Sequence, residues 1–543
     1  MKKFTNVLAI AILAGLMIAP IMAQPTAFDR AAQIDADTLD VGGFGNIIAG
    51  EDFDGDGKVE IYAVNNDWHD QIGFDLVPRI YKYEQTLLGD WVAVWSTRLP
   101  FEFQNTWPAL AVADLDEDGK KEIVWGPVNN FGGGSNPNPI RIAVFETAGD
   151  GSDNMGVDNG DGTWAPNASW TITSADNENL RPFRWHIIDI DDDNTFEIVA
   201  YCRVGDGIQI YSVDDVPDNG GGTETWTSEF SGVAGTHYDG FVMAGKAYGI
   251  NSVGDVTSVS WDGSAYVEGT PQVGIVGAGS WNSASLVDVD RDGNDEVVVA
   301  SWSSSTSAVY LLQQSGDTLK STLIADVPDE NNRLYGGVAG DTDNDDKMDF
   351  LFGTRSAAVN ATIFRLEYKG DGAAIDDPAS YVLSSIDSLV NAAQQYDVFA
   401  MADMDGDIEG DQEVLYTGTP RGLAATDAPQ PITILNDNGT RTGIFDDRNV
   451  AEGFELKQNY PNPFNPETSI QFEIPSALDV RINIYNALGQ KVRSLLNENR
   501  GPGVHTVKWD GRSNDGSRVA SGMYIYSMTA GNITLTKRMT LLK

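Results

Sequence analysis

Short apolar segments, each bounded by turn residues, alternate along most of the chain. Glu60–Val64, Arg79–Tyr83 and Trp91–Trp95 are examples, rich in β-branched and aromatic residues and separated by glycine, asparagine and aspartate. Such segments predict short β-strands. They recur in groups of up to four, and repeated four-stranded groups are typical of β-propeller blades.

The turn that follows the first strand of each group is acidic, and its sequence repeats. The first copy, Asp52–Glu60, has the form Asp-x-Asp-x-Asp-Gly-x-x-Glu. A repeat of this kind predicts one structural unit per copy, stacked against its neighbours. Further copies begin at Asp114, Asp189, Asp288, Asp341 and Asp403.

The interval between the third and fourth copies is the longest. It predicts a further, degenerate copy of the repeat that has lost part of its acidic pattern. Aligning Gly45–Gly50 with Gly240–Gly245 puts Ala247 at the first acidic position, and Asn251 and Asp255 at the fifth and ninth. With this copy we expect seven blades, and six or eight are the alternatives. The last blade has three evident strands, so its fourth is expected from residues 28–39 near the N-terminus or, alternatively, from residues 441–446.

The pattern changes near the C-terminus, where five segments between Ser469 and Leu541 alternate apolar and polar residues with period two. This alternation predicts a small immunoglobulin-like β-sandwich. The expected fold class is therefore all-β. We expect a signal peptide at residues 1–23, a seven-bladed β-propeller at 24–439, a linker at 440–453 and the β-sandwich at 454–543.

The N-terminus predicts export, and the net charge limits the kinds of partner. Lys2 and Lys3 precede the apolar run Val7–Ile18, and the small residue Ala23 follows, which is typical of a secretory signal peptide. No second apolar run follows, so we expect no transmembrane anchor in the mature chain. The net charge of −45 argues against a nucleic-acid partner and suits divalent cations. Cys202 is the single cysteine, which excludes an intrachain disulfide.

The acidic turns carry the candidate chemistry. Calcium prefers six to eight oxygen ligands, and a tight loop supplies them at alternate positions. Positions one, three and five would give carboxylates, position seven its main-chain carbonyl, and position nine a closing acid, whereas an EF-hand closes at position twelve. The sixth position, mostly glycine, is expected to be left-handed. The predicted metal ligands are Asp52, Asp54, Asp56, Lys58 and Glu60; Asp114, Asp116, Asp118, Lys120 and Glu122; Asp189, Asp191, Asp193, Thr195 and Glu197; Asp288, Asp290, Asp292, Asn294 and Glu296; Asp341, Asp343, Asp345, Lys347 and Asp349; and, in a longer loop, Asp403, Asp405, Asp407 and Glu413.

These loops resemble those of the FG-GAP/VCBS repeat family, the propellers of integrin α-subunit heads and of many bacterial surface proteins. The resemblance covers roughly residues 28–440. It implies Ca²⁺ as a structural ion, at about five or six sites, in the hairpin between the first two strands of each blade. It implies no catalysis, since a fold of this kind is a platform for many functions.

The C-terminal segment resembles a type A sorting domain of the type IX secretion system. The resemblance rests on Asn459–Pro466, Tyr485–Gly489, Trp509–Gly511, Gly522–Tyr524 and Lys537–Leu541. It implies a Gram-negative bacterium, passage through the periplasm, the type IX machinery as a partner, and release or tethering at the outer-membrane surface. A plain immunoglobulin-like module is the alternative.

Aromatic residues in the loops opposite the acidic turns are the candidates for ligand binding. They could form a platform for a glycan or a peptide, or they could simply pack between blades. We find no catalytic motif, so three classes stay open: a binding or adhesion protein, a polysaccharide lyase-like enzyme, and a structural surface-layer component. The enzyme would require Arg203, Arg355 or Arg421 beside His69 in one deep pocket. The candidate ligand-binding residues are Trp68, His69, Trp107, Trp281, Trp302 and Tyr396.

Overall fold

The computed structural model describes most of the chain apart from its first residues and several loops. Within the described residues, no helix has the length and apolar character needed to cross a membrane. The chain divides into two compact units, Met1–Arg441 and Thr442–Lys543. The described residues are 28–37, 39–40, 42–66, 77–86, 89–100, 108–127, 140–170, 182–203, 205–218, 220, 222–302, 307–327, 333–343, 345–355, 360–370, 372–390, 394–404, 412–420, 431–437, 455–457, 459, 461–462, 464–474, 478–486, 491–501, 503–514, 516–530 and 533–541.

The first unit is a succession of antiparallel sheets, which confirms the all-β class. After strand β1 (Phe28–Ile34) come five four-stranded sheets, with strands mostly in chain order. Sheet 1 contains β2 (Phe44–Ala49), β3 (Glu60–Asn65), β4 (Arg79–Gln85) and β5 (Trp91–Arg98). Sheet 2 contains β6 (Ala109–Ala113), β7 (Glu122–Gly126), β8 (Ile142–Glu146) and, beyond the small hairpin β9 (Val157–Asp158) and β10 (Trp164–Ala165), β11 (Ala168–Trp170).

The next three sheets repeat this plan. Sheet 3 contains β12 (Pro182–Ile188), β13 (Glu197–Cys202), β14 (Ile208–Val213) and β15 (Trp226–Gly232). Sheet 4 contains β16 (His237–Met243), β17 (Lys246–Asn251), β18 (Val256–Trp261) and β19 (Tyr266–Glu268). Sheet 5 contains β20 (Ser285–Val287), β21 (Glu296–Ala300), β22 (Ala308–Ser315) and β23 (Thr318–Asp326).

The last seven strands of this unit, together with β1, form one sheet in two halves, which meet through a single pair, Arg355 with Gln395. Sheet half 6 contains β24 (Arg333–Gly340), β25 (Asp349–Arg355), β26 (Asn360–Tyr368) and, after a short 3-10 helix (Pro378–Ser380), β27 (Tyr381–Val390). Sheet half 7 contains β28 (Gln394–Ala402), β29 (Glu413–Pro420), β30 (Ile432–Asp437) and β1.

Strand β1 joins the start of the unit to its end. Phe28 pairs with Asp437 and Ile34 with Ile432, so the N-terminal segment is the fourth strand of half 7. Of the two segments that the sequence offers for this fourth strand, the structure uses the N-terminal one. The alternative segment, 441–446, lies outside the described residues.

The first strands of successive sheets lie beside one another in chain order, and β28 lies against β2, so the series returns to its start. Gly50 at the end of β2 is one reason for this close contact, because a Cβ there would lie 2.0 Å from the Cβ of Ala402. The Thr417 hydroxyl also donates to the Gly45 carbonyl at 2.9 Å. Apolar clusters fill the space between neighbouring sheets, and the one at the junction contains Ile61, Ala63, Leu415 and Ile434.

The second unit packs two sheets around one core. The sheets run in the order β31-β32-β35 and β34-β33-β36-β37, and Trp509 and Tyr526 are among the fully buried side chains between them. The Asn459 side chain donates to the Pro461 carbonyl at 3.0 Å and to the Thr468 hydroxyl at 2.9 Å, which fixes the start of the motif at 459–466. The strands are β31 (Glu455–Leu456), β32 (Thr468–Ile474), β33 (Leu478–Asn486), β34 (Lys491–Arg500), β35 (Gly503–Trp509), β36 (Gly522–Ala530) and β37 (Ile533–Leu541).

Candidate metal centres

Five of the acidic segments form the turns between the first and second strands of their sheets. In each, the closing acid is the first residue of the second strand, so its side chain is held by the sheet. The loops lie where the sequence predicts them, and each is named below by its first aspartate. They are Asp52–Glu60, Asp114–Glu122, Asp189–Glu197, Asp288–Glu296 and Asp341–Asp349.

The sixth residue of each loop is left-handed, as predicted. Asn194 and Asp346 stand at this position where glycine is absent, with φ of 68° and 66°. Asparagine and aspartate tolerate this conformation better than other residues with a Cβ. The glycines at this position are Gly57, Gly119 and Gly293, with φ of 89°, 91° and 91°.

The fourth residue is left-handed too in the four loops where the structure describes it, and the sequence did not reveal this. Glu117, Asp192 and Arg291 have φ of 58°, 61° and 59°, and Gly55 has 79°. Glutamate and arginine give no turn signal, so residue type alone could not predict this conformation. Left-handed residues at the fourth and sixth positions keep the loop tight enough for its carboxylates to converge.

Main-chain donors hold the aspartates in every loop, and all five loops share the bonds from the sixth amide to the first aspartate and from the seventh amide to the fifth. The Asp288 carboxylate accepts hydrogen bonds from the amides of Asp292 (2.9 Å) and Gly293 (2.8 Å), and Asp292 accepts from the Asn294 amide at 2.8 Å. These bonds fix the carboxylates before any ion binds. The bond from the sixth amide to the first aspartate recurs from Gly57 to Asp52 (2.9 Å), Gly119 to Asp114 (3.1 Å), Asn194 to Asp189 (3.0 Å) and Asp346 to Asp341 (2.9 Å).

The closing acid is fixed through one of its two oxygens. Oε2 of Glu122 accepts a hydrogen bond from the amide of Leu115, the second loop residue, at 2.5 Å. The same bond runs from Phe53 to Glu60 (2.6 Å), Ile190 to Glu197 (2.9 Å), Val289 to Glu296 (3.2 Å) and Thr342 to Asp349 (3.0 Å).

The second oxygen of the closing acid has a different environment in four loops. Oε1 of Glu60, Glu122 and Glu197 and Oδ1 of Asp349 are buried, with no hydrogen-bond partner among the described residues. An unsatisfied buried oxygen is costly, and a bound cation would satisfy it. Carboxylate oxygens from the four acids of the Asp52 loop lie within 4.8 Å of one another, as do those of the Asp114 loop. This all-oxygen donor set fits calcium, a hard cation.

Burial governs the protonation of the closing acids. It raises the pKa of Glu122 to about 9 and the pKa of Glu60 and Glu197 to about 8, and the loop aspartates add to the rise through their negative charge. In the ion-free fold these acids therefore hold a proton that they lose in the unfolded chain.

This proton uptake predicts the pH dependence of the ion-free protein. Because the folded chain binds more protons than the unfolded chain between about pH 4.5 and pH 8, its free energy of unfolding should fall as the pH rises through that window. Thermal unfolding in chelator, measured from about pH 5 to pH 8, should show a falling melting temperature. Glu122→Gln should make that fall shallower. A melting temperature that rises with pH over this range would contradict the assignment.

Lysines at the seventh position contact the fifth aspartate of their own loop. Lys120 Nζ lies 2.8 Å from Asp118 Oδ2 and also contacts Glu146 and Asp218. Lys58 makes a corresponding contact in the Asp52 loop, 2.5 Å from Asp56 Oδ2. These side chains reduce the negative charge around the loops, while the main-chain carbonyl at this position stays available as the predicted ligand.

For sheet 4 the sequence predicts a degenerate repeat with its strands and part of its acidic loop. The strands are present, but the acidic loop is not. A two-residue turn, Ala244–Gly245, joins β16 to β17, with φ of 49° and 69°. Asn251 and Asp255 lie instead at the β17–β18 turn, at the opposite end of the sheet. A hairpin this short has no room for an acidic loop. The alignment without a gap therefore assigned Asn251 and Asp255 to the turn between the first two strands, whereas they lie at the next turn.

The longer Asp403 loop is described only at its ends. Asp405 and Asp407 lie outside the described residues. Glu413 is the first residue of β29 and accepts a hydrogen bond from the Met404 amide at 2.7 Å, as the other closing acids do. Metal binding by this loop stays a prediction.

The candidate aromatic residues divide into buried and partly exposed ones. Trp281 is only 6% exposed and stacks on Tyr238, with ring centroids 4.5 Å apart. It therefore packs inside the fold, which is the alternative to ligand binding. Trp302 is half-buried in the same cluster, and the Arg333 guanidinium lies 4.5 Å from its ring centroid. Trp68, His69, Trp107 and the side chain of Tyr396 lie outside the described residues.

The first strands also line a cavity of about 370 Å³ that the sequence did not reveal. Arg184 and His186 face it, and Arg184 forms an ion pair with Asp239 at 3.0 Å. Burial lowers the pKa of His186 to about 4, so the imidazole is neutral near pH 7. Of the residues that an enzyme would require, Arg203 lies over Tyr238 at 5.7 Å. The others, His69, Arg421 and the Arg355 side chain, lie outside the described residues.

Among solved structures, similar chains are remote. PorZ, described as an essential surface component of the type IX secretion system of Porphyromonas gingivalis, matches with 12% identity and a TM-score of 0.24. The match covers 89% of this chain and 58% of the PorZ chain, so the chain spans little more than half of that protein. A chain from the S. cerevisiae Dbp5 complex with Nup159, Gle1, IP6 and ADP matches with 8% identity and a TM-score of 0.38, over 76% of this chain and 96% of that one. No curated protein matches.

Two family models match parts of the chain. The FG-GAP-like repeat matches residues 52–125 and 288–352. Each match begins at the first aspartate of an acidic loop and ends in the second strand of the following sheet, so each contains two loops. The FlgD Ig-like domain matches residues 460–533. The chain thus carries FG-GAP-like repeats in two places, followed by an Ig-like domain near its C-terminus.

Proposed function

We propose that the chain is an exported, calcium-stabilised β-propeller that acts as a binding or adhesion protein, at the cell surface or secreted. The observation that carries this proposal is the acidic loop, repeated in five places with the same main-chain hydrogen bonds to its first, fifth and ninth acids. Its carboxylates converge, and in four loops one buried oxygen of the closing acid has no hydrogen-bond partner among the described residues. Calcium is the ion whose ligand preferences this oxygen-only arrangement meets.

The proposed propeller has seven blades: sheets 1 to 5 and the two sheet halves. Three observations support this count. Neighbouring first strands follow chain order, β28 lies against β2, and β1 completes the last group of four strands. A ring of this kind leaves no open sheet edge between its first and last blades.

Calcium in these loops would balance charge that the fold brings together. Each loop offers three aspartate side chains, a closing acid and the seventh main-chain carbonyl. Bidentate carboxylates or water would complete the six to eight ligands. With the sole cysteine, Cys202, buried in β13, calcium takes the stabilising role that disulfides have in many exported proteins.

The proposed binding surface surrounds the central cavity. Asn282 lines the cavity next to Trp281 in the chain, and Trp302 with Arg333 continues the aromatic cluster. An aromatic ring with a guanidinium beside it suits a glycan or a protein ligand. We assign no catalytic residue.

Delivery is proposed to depend on the two ends of the chain. Residues 1–23 would direct export to the periplasm, and the C-terminal unit would act as a type A sorting domain for the type IX machinery. The two-sheet sandwich, the fixed Asn459 turn and the FlgD Ig-like match support this role. The host would then be a Gram-negative bacterium.

The binding function is tested by screening the secreted chain against glycan and protein arrays, with calcium and with chelator. We expect specific binding that chelator abolishes. Trp302→Ala should weaken it by about tenfold or more while keeping the wild-type melting temperature in calcium. Trp261→Ala, at the exposed end of β18, is the matched control. Absence of any ligand, or equal binding by the Trp302 variant, would contradict the proposed binding surface.

A further inference from the structure

In two of the five acidic loops, the carboxylates contact a buried cationic side chain that comes from the third strand of the same sheet. We propose that Lys82 and Arg365 are built-in cations that take the place of calcium in these loops. The loops are the Asp52 and Asp341 loops, and the other three are expected to bind calcium much more tightly. This inference rests on the calcium binding proposed above.

Lys82 lies in the middle of β4, between Tyr81 and Tyr83. Its side chain is fully buried, and Nζ contacts the Asp54 carboxylate, the third ligand position of the Asp52 loop. Nζ also lies 3.9 Å from Glu60 Oε1, the oxygen without a hydrogen-bond partner, and 3.0 Å from carboxylate oxygens of Glu84 and Asp153. A lysine surrounded by carboxylates keeps its proton, so a full positive charge stands beside two predicted calcium ligands.

Arg365 has the same position in sheet half 6. Its side chain is 4% exposed, and Nη1 lies 3.1 Å from Asp343 Oδ2 and 3.4 Å from Asp349 Oδ2. Nη2 lies 2.5 Å from Glu367 Oε2. The third and ninth positions of the Asp341 loop are thus paired with a guanidinium, as those of the Asp52 loop are with an ammonium.

Strand register shows that the two cations are equivalent. Lys82 pairs with Tyr62 and Arg365 with Leu351, and each partner lies two residues after its closing acid. In the three remaining loops the register places a fully buried apolar residue there. These residues are Val144 opposite Val124, Ile210 opposite Val199 and Leu311 opposite Val298.

The buried cations change how strongly these two loops attract calcium. A cation in contact with the third and ninth acids neutralises part of the charge that would attract calcium, and it repels a divalent ion placed among the same oxygens. Where valine, isoleucine or leucine stands instead, the carboxylates have no internal countercharge at this position. Those three loops therefore depend on the ion much more than the Asp52 and Asp341 loops do.

The test counts calcium ions bound per full-length chain, by equilibrium dialysis with metal analysis and by native mass spectrometry. Lys82→Met, which keeps the length of the side chain and removes its charge, should gain one tightly bound ion relative to wild type. Arg365→Met should gain one as well, and the double variant two. Lys120→Met removes a lysine at the seventh position of the Asp114 loop and should gain none.

A second pair of variants covers the case in which the methionine variants do not fold. Asp54→Asn should leave the number of tightly bound ions unchanged, because its loop is already neutralised from within. Asp116→Asn, the same substitution in the Asp114 loop, should remove one ion.

The outcomes separate this inference from the function on which it rests. If the wild type binds no calcium, the proposed function itself is wrong. If Asp116→Asn and Asp54→Asn each lose one ion, or if folded Lys82→Met gains none, calcium binding stands and the built-in cations are disproved.

Discussion

Removal of calcium is expected to lower the melting temperature of the chain by on the order of 10 °C. An ion present at about a thousandfold excess over its dissociation constant stabilises a fold by about 4 kcal/mol per site, and several sites act together. The ion-free Asp114, Asp189 and Asp288 loops also bring carboxylates together without a buried cation from the third strand. Calorimetry in millimolar calcium and in chelator measures the difference.

The matched variants for this experiment differ only in where one carboxylate is lost. Asp290→Asn removes the third ligand of the Asp288 loop and should reduce the calcium-dependent shift by about a third, if three loops carry most of it. Asp317→Asn alters an aspartate whose side chain is 98% exposed, outside all of the loops, and should leave the shift unchanged. Identical melting curves with calcium and with chelator would refute metal-bound loops.

Loss of strand β1 is expected to have the second large effect. A chain that begins at Asp35 should melt at least 10 °C lower than one that begins at Phe28, and it should aggregate on warming, because β30 then presents an open edge. The bidentate ion pair of Arg30 with Asp387, at 3.1 and 3.0 Å, is lost as well. Light scattering during a thermal ramp measures both changes.

A synthetic peptide of residues 28–34 provides the specificity control. Added in excess to the shortened chain, it should occupy the edge of β30 and restore part of the lost melting temperature. A peptide with the same composition in scrambled order should not. Equal stability of the two chains without peptide would show that the stability of the fold does not depend on β1.

The sequence predicted the parts of the fold that repeat. Alternating apolar segments and Asp-x-Asp-x-Asp turns recur several times, so each copy corroborates the others, and the strands, the five loops and the left-handed sixth residue are found where expected. Sheet 4 shows the limit of this reasoning. Once the acidic loop is gone, nothing in the sequence indicates that the hairpin has shrunk to Ala244–Gly245.

Features that depend on contacts across strands escaped prediction. Lys82 and Arg365 lie in segments that qualify as strands on their apolar neighbours, and their charges become meaningful only when the register brings them beside Asp54 and Asp343. The break in apolar pattern at both residues was the available signal. Trp281 is a different case. Its residue type makes it a candidate for ligand binding, but its burial within an aromatic cluster gives it a packing role.

The pairing of β1 with β30 has a consequence for biogenesis. The first strand of the unit finds its partner only in the last, so the final sheet cannot assemble on the ribosome until almost the whole unit has been synthesised. Contacts so distant in sequence also form slowly, because a very long loop must close first. Sheets 1 to 5 pair strands that are close in sequence and can form earlier, whereas the last sheet half is completed only once β30 has been synthesised.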